Sequence, residues 1–287
     1  MGAMTVEVVE YTDPWCSWAW GTEPKLRRLR WRYGHELQWR TVVGDLVSDR
    51  RIDKPDFDPA RYAPKQSAYW EKVHDHTGQP WPVHLQRSPL LSAHADRAVK
   101  AAQQQNDEVA NRLLRALRES CFVHGEPADT EARVIALAAT VEGIDHDRLV
   151  ADVASDVVAK AFLADRDETR RPNDYVRTLQ ETHEGKGNAK QDGDGWRYVF
   201  PTILFRGPGG EQTVPGWQPW DAYVTAMEAA TPGSTSSPRD DPTPEQALAQ
   251  WSLLTDHELA FLCGDAAQPP DDARVIDWGA GLAYQRR

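Results

Sequence analysis

Cys16 stands in the run Tyr11-Thr12-Asp13-Pro14-Trp15-Cys16-Ser17-Trp18-Ala19-Trp20-Gly21. A cysteine sulfur can attack a disulfide or bind a small thiol as an adduct, and it does both as the thiolate. Upstream, Val6, Val8, Val9 and Tyr11 form a β-branched and aromatic run of strand length, closed by the turn pair Asp13-Pro14. Downstream, Leu26, Leu29 and Tyr33 recur at helical spacing, which sets Cys16 in the first turn of a helix. Free N–H groups and the positive end of the helix dipole there are expected to lower the thiol pKa, with the Ser17 hydroxyl beside the sulfur. Trp15, Trp18 and Trp20 crowd the same turn, more indole than one small core needs, so some are expected to wall a ligand site. The competing reading is an inert core thiol under an aromatic cluster.

Other chemistry-bearing residues read as structural. Cys121 and Cys263 are expected to be buried, and three cysteines without a close pair fit a reducing compartment better than a disulfide framework. His74, His76, His84 and His94 lack metal-ligand spacing, and Cys121 with His124 lacks two further ligands, so no metal is expected. The glycine-rich stretch 185–195 follows a helix and precedes a strand, the reverse of a phosphate-binding loop, so no nucleotide is expected. It reads as a mobile surface loop that could fold over the Cys16 groove as a lid. Lys25, Arg27, Arg28, Arg30 and Arg32 read as a solvated helix face, with Lys25 or Arg28 adding to the field that favours a thiolate.

With 44 acidic against 33 basic residues, the net charge of -11 disfavours nucleic acid and anionic membrane surfaces as partners. No apolar run reaches the roughly 18 residues of a membrane span, and the N-terminus lacks a signal-peptide pattern, so a cytoplasmic protein is expected. Met1-Gly2-Ala3-Met4 reads as a cloning remnant ahead of a natural start at Met4.

Strand 5–11, helix 17–33 with a restart near Gly21 and Pro24, and strand 37–43 make a right-handed βαβ unit. A polar loop, 44–59, leads into helices over 62–76, 94–105, 108–123, 130–142, 146–165 and 173–183. The β signal returns at Trp196 to Phe205, followed by a glycine-rich turn and Gln212-Thr213-Val214, a hairpin. Pro201, opening a strand after Phe200, is a candidate for a cis peptide. A closing helix, 220–230, precedes a flexible linker, 231–244, and a tail with two short helix patterns and an irregular end. The expected division is 5–59 and 186–230 as one α/β domain, 60–185 as a helical insertion, 231–244 as linker and 245–287 as a small, mostly helical extension.

The Asp-Pro-Trp-Cys-Ser-Trp-x-Trp-Gly turn between strand and helix, the helical insertion of about a hundred residues and the later Phe-Pro-Thr together resemble the DsbA-like thioredoxin-fold family. That family includes the cytoplasmic FrnE-type proteins and has 2-hydroxychromene-2-carboxylate isomerases and kappa-class glutathione transferases as relatives. The resemblance spans roughly residues 5–230. It implies an α/β thioredoxin-like fold split by a helical lid, with Cys16 as nucleophile and Phe200, Pro201 and Thr202 lining the groove for a thiol or disulfide substrate. The sequence departs from the family's Cys-x-x-Cys at Ala19, and without a second thiol the usual intramolecular release cannot occur.

Three explanations compete. The protein could be a monothiol oxidoreductase resolved by an external thiol such as glutathione or mycothiol. It could be a thiol-dependent isomerase or transferase, or Ala19 could be an engineered replacement. From a different class comes the reading of a catalytically decayed thioredoxin-fold adaptor, its protein partner engaged through the C-terminal extension.

Overall fold

The computed structural model describes residues 5–48, 57–180, 187–233 and 237–286. The Met1-Gly2-Ala3-Met4 remnant lies outside the described residues. Strand β1 (Val6–Thr12) runs parallel to β2 (Leu37–Val43), with Val6 beside Leu37 and Thr12 beside Val43. Between them come α1 (Ser17–Trp20) and α2 (Glu23–Tyr33). The expected helix 17–33 is therefore broken at Gly21-Thr22. A β-carbon on Gly21 would lie 2.5 Å from the Thr77 side chain, so the restart falls where only glycine admits the neighbouring helix. Pro24 sits in the first turn of α2, where its missing N–H costs nothing.

The returning hairpin is β5 (Thr202–Gly207) and β6 (Gly210–Pro215), and the sheet order is β2-β1-β5-β6 with β5 antiparallel to both neighbours. Period-two alternation divides the sheet into two faces. Val6, Val8, Ile203 and Phe205 pack on Leu26 and Leu29 of α2 and on Tyr223 and Met227 of α10 (Trp220–Ala230). Val9, Tyr11 and Leu204 face the other way, toward Cys16, Ala19, Tyr198 and Phe200.

The β signal expected over 196–205 falls in two pieces, the second strand opening after Pro201 as expected. Strand β4 (Gly195–Arg197) pairs with β3 (Lys190–Asp192) and not with β6, and 198–201 crosses between the two ribbons with a cis peptide at Phe200-Pro201. Gly193, at φ 61°, makes the β3–β4 turn, so the stretch expected as a mobile loop holds a hairpin; its residues 185 and 186 lie outside the described residues.

Helices α3 (Pro59–Thr77), α4 (Ala93–Gln103), α5 (Asp107–Phe122), α6 (Glu131–Ala138), α7 (His146–Val153), α8 (Asp156–Thr169) and α9 (Asp174–Thr178) form the insertion. The single helix expected over 146–165 is two, because the Ser155 hydroxyl accepts from Val158 N at 3.2 Å and starts a new helix. Residues 181–183 of the helix expected over 173–183, and 49–56 of the loop expected over 44–59, lie outside the described residues. Trp70, Val99, Leu113, Leu117 and Phe122 share one core with Trp15 and Trp20, so the turn carrying Cys16 is packed into the insertion.

The tail is more ordered than its sequence suggests. Helices α11 (Pro244–Trp251) and α12 (Asp256–Cys263) pack with β7 (Leu253–Thr255), β8 (Arg274–Asp277) and β9 (Leu282–Gln285), in the order β7-β9-β8. Strands of three and four residues are too short to show a periodicity. The described part of 231–244 is anchored rather than free: Arg239 N donates to Arg32 O at 2.9 Å, Trp31 Nε1 donates to Asp240 O at 2.8 Å, and Arg28 pairs with Asp241. Its acidic residues meet the basic face of α2; residues 234–236 lie outside the described residues. Among the described residues no helix is long and apolar enough to cross a membrane.

Candidate active site

Cys16 is the N-cap of α1, its N–H donating to Asp13 O at 3.2 Å and its carbonyl accepting from Trp20 N at 3.0 Å. Its thiol donates to the carbonyl of Phe200 at 3.2 Å. The cysteine turn thus meets the segment that enters β5, across a sequence separation of 184 residues. Above the sulfur opens a cavity of about 580 Å³. Trp15, Ser17, Trp18 and Phe200 line it with Cys16, as do Gln66, Tyr69 and Trp70 of α3 and Lys190, Gln191 and Arg197 of the β3–β4 hairpin.

The aromatic walls are fixed by their polar ends. Trp15 Nε1 donates to Leu91 O at 3.0 Å and Trp18 Nε1 to the Tyr69 hydroxyl at 2.8 Å. Trp20 departs from the expected wall. Its indole donates to Pro80 O at 2.8 Å and stacks on Phe122, with Arg115 over its face, so it belongs to the core beneath α1. Pro201 and Thr202 also lie outside the lining: Pro201 O accepts from Gly216 N at 2.7 Å, and the Thr202 hydroxyl turns back to Val199 O at 2.6 Å. Phe200 alone of that trio faces the cavity.

The expectation of a lowered thiol pKa is not met. Burial pushes the Cys16 thiol up to about 11, and the Asp13 charge adds to the rise. The Ala19 N–H, Arg118 and Arg197 act in the opposite direction without prevailing. A four-residue helix carries too few aligned peptides for a strong dipole, and Cys16 is only 5% exposed. Asp13 is itself buried, accepting from Trp15 N (2.8 Å), Leu46 N (2.7 Å) and the Ser92 hydroxyl (3.0 Å), while burial raises it to about 6.

Lys25 does not serve the sulfur. Its Nζ donates to Gln218 O at 2.6 Å and lies 3.3 Å from the centre of the Trp217 ring, and burial lowers its pKa to about 7. Besides Arg197, a cation that does reach the turn is Arg118 of α5, fully buried, paired with Glu23 and Glu10 and donating to the Thr12 hydroxyl at 2.6 Å. Glu258 of the tail continues this charge network: burial works against its ionisation, but Arg115 at 3.1 Å and Arg27 at 3.3 Å outweigh it and hold the carboxyl at about 2.

His74 and His76 are engaged in aromatic contacts, His74 on Trp81 and His76 edge-on to Trp18 and Trp217. Cys121 is buried in the helical core, and Cys263 is half-exposed on α12.

A family model described as thioredoxin matches residues 10–171. The chain belongs to the thioredoxin family. Solved structures share that fold. A candidate protein disulfide isomerase from Nitrosomonas europaea superposes with TM-score 0.57 at 19% identity, over 78% of this chain and 96% of that one. The cytosolic disulfide reductase DsbM from Pseudomonas aeruginosa gives TM-score 0.52 at 16% identity over 79% and 93%, and it has also been solved with GSH. Among curated sequences, the ClpXP adapter protein SpxH of Shouchella clausii is 26% identical over 260 residues, covering 90% of this chain and 77% of that one. Some further relatives of that description are matched over about half their length.

Within this thioredoxin-family chain the site residues not foreseen are those contributed by other elements. Gln66, Tyr69 and Trp70 share a helix face at spacings of three and four, a legible stripe whose target was not. Arg197 lies four residues before Pro201, and its role depended on recognising that the strand ends at that arginine.

Proposed function

We propose that the chain carries out thiol–disulfide exchange with a single cysteine. The observation that carries this reading is the Cys16 thiol at the base of an aromatic cavity, 3.2 Å from the Phe200 carbonyl, with Ala19 where a second thiol would resolve the adduct. Loss of the thiol proton to solvent gives the Cys16 thiolate. It attacks one sulfur of a bound disulfide RS–SR, forms the Cys16–S–SR bond and expels RS⁻. A second small thiol, R′SH, then attacks as R′S⁻ at the sulfur of the R group, forming RS–SR′ and returning the Cys16 thiolate. The disulfide is exchanged without net oxidation of the protein. Glutathione and mycothiol are the small thiols weighed for this role, and the GSH-bound relative supports a small-thiol partner. Burial keeps the resting sulfur protonated and its thiol sits on the Phe200 carbonyl, so the centre is latent until a ligand displaces that contact. The test is turnover of hydroxyethyl disulfide with glutathione as co-substrate: Cys16→Ser should abolish it, and activity retained in that variant would overturn the reading.

A second reading has its own support. The SpxH relatives are described as adapters, and the match to one of them covers 90% of this chain, tail included in part. In that reading the fold presents a surface to a protein client. Partner capture that survives Cys16→Ser, with no turnover in the parent protein, would favour it.

A further inference from the structure

In the exchange reading Arg197 does no more than favour the Cys16 thiolate. It lines the cavity that holds Cys16, and its guanidinium carbon lies 4.9 Å from the centre of the Phe200 ring. Phe200 therefore carries both ends of one arrangement, with its carbonyl on the Cys16 thiol and its ring under Arg197. The guanidinium has five donors, of which Nη1 is directed to Tyr198 O at 2.8 Å. Among the described residues no carboxylate lies within ion-pairing distance of it. Asp192, on the paired strand, is taken by Arg170 at 2.8 Å, and Glu23 and Glu10 are taken by Arg118.

Arg197 and Lys190 are direct cross-strand partners in the β3–β4 hairpin, and both line the cavity. Lys190 Nζ is engaged with Asn188 Oδ1 at 2.9 Å, so the contact with an anion falls to Arg197. Burial lowers the pKa of Arg197, as expected of a cation lacking a close countercharge. The protein as a whole carries a net charge of -11, so the attraction for an anion is local to this wall.

We propose that Arg197 binds a carboxylate of the small thiol or disulfide that reacts at Cys16, and so selects carboxylate-bearing thiols. Glutathione has two carboxylates and fits; mycothiol has none and does not. This rests on the exchange reading of Cys16.

The test uses three symmetrical disulfides of similar size: dithiodipropionate (anionic), hydroxyethyl disulfide (neutral) and cystamine (cationic). Rates of adduct formation at Cys16 are read by intact mass and divided by each reagent's rate with free cysteine. The parent protein should favour dithiodipropionate over hydroxyethyl disulfide by about tenfold, the value of one charged hydrogen bond. Arg197→Gln should bring the ratio to one, and Arg197→Lys should keep part of it. The ratio is the readout because Arg197 also supports the thiolate, an effect common to all three reagents. In parallel, S-methylglutathione and its diethyl ester are titrated into Cys16→Ser protein by calorimetry, and only the free acid should bind. Adducts that form at charge-independent rates overturn the Arg197 assignment and leave exchange intact. Absence of any adduct, together with Arg197-dependent binding of S-methylglutathione, overturns exchange and leaves the carboxylate site standing.

Discussion

Raising the pH should unmask Cys16, and the rate can be worked from the structure. With the thiol pushed by burial to about 11, about one molecule in 10⁴ carries the thiolate at pH 7. An ordinary thiol near 8.5 is about 3% ionised there, so ionisation alone makes Cys16 roughly 300-fold slower. The more basic sulfur is the stronger nucleophile. A Brønsted slope of about 0.45 over 2.5 pH units returns roughly tenfold, leaving Cys16 about 25-fold slower than free cysteine. The assay is iodoacetamide labelling with peptide mapping, which separates Cys16 from buried Cys121 and half-exposed Cys263. Log rate should climb with unit slope from pH 7 toward 11.

The same shift appears in stability. The folded thiol keeps its proton to about 11 and an unfolded one loses it near 8.5, so the unfolded state binds fewer protons between those values and stability falls as pH rises. Relative to Cys16→Ala, the contribution should be complete below about pH 8 and lose about 3 kcal/mol by pH 11. A labelling rate that levels off below pH 8, or exceeds that of free cysteine at pH 7, would refute burial as the controlling influence on this sulfur.

Three further outcomes follow from the same geometry. Asp13→Asn removes a negative charge that raises the Cys16 pKa, so labelling at pH 8 should quicken, while the loss of an acceptor shared by Trp15 N, Leu46 N and Ser92 should cost about 1–3 kcal/mol in urea denaturation. Glu258→Gln leaves Arg115 and Arg27 buried without their countercharge and should cost roughly 3–5 kcal/mol. Because Glu258 is held at about 2, its contribution is present above the ordinary carboxyl value near 4.5 and should fade as pH drops from there to about 2, a dependence the Gln variant should lack. Ala19→Cys should form an intramolecular disulfide with Cys16, so that titration of the oxidised, unfolded variant finds two free thiols, Cys121 and Cys263, whereas four free thiols would show that the turn cannot accommodate the bond.

The architecture was legible where residues speak locally. Valine alternation in β1, the leucine spacing in α2 and the apolar stripes of the insertion each set their own element, and the Asp13-Pro14 and Phe200-Pro201 pairs marked the two segments that meet at the sulfur. What was hidden depends on distant partners. Nothing near Trp20 says that its indole reaches Pro80 O, and nothing near Cys16 says that the insertion closes over it and reverses the direction of its pKa shift. The linker looked flexible from its Pro, Ser and Asp content, yet Asp240 and Asp241 find Trp31, Arg28 and Arg32 on α2. The pairing of 195–197 with 190–192 could not be read, because a three-residue strand carries no periodicity, and the place of Arg197 in the cavity wall was missed with it.

Exchange requires Cys16 to be the reacting sulfur. Incubation with oxidised glutathione followed by intact mass and peptide mapping tests this most directly. One glutathione per chain, mapped to Cys16, reversed by reduced glutathione and absent in Cys16→Ser, is the predicted result. No adduct, or an adduct confined to the more exposed Cys263, would contradict it.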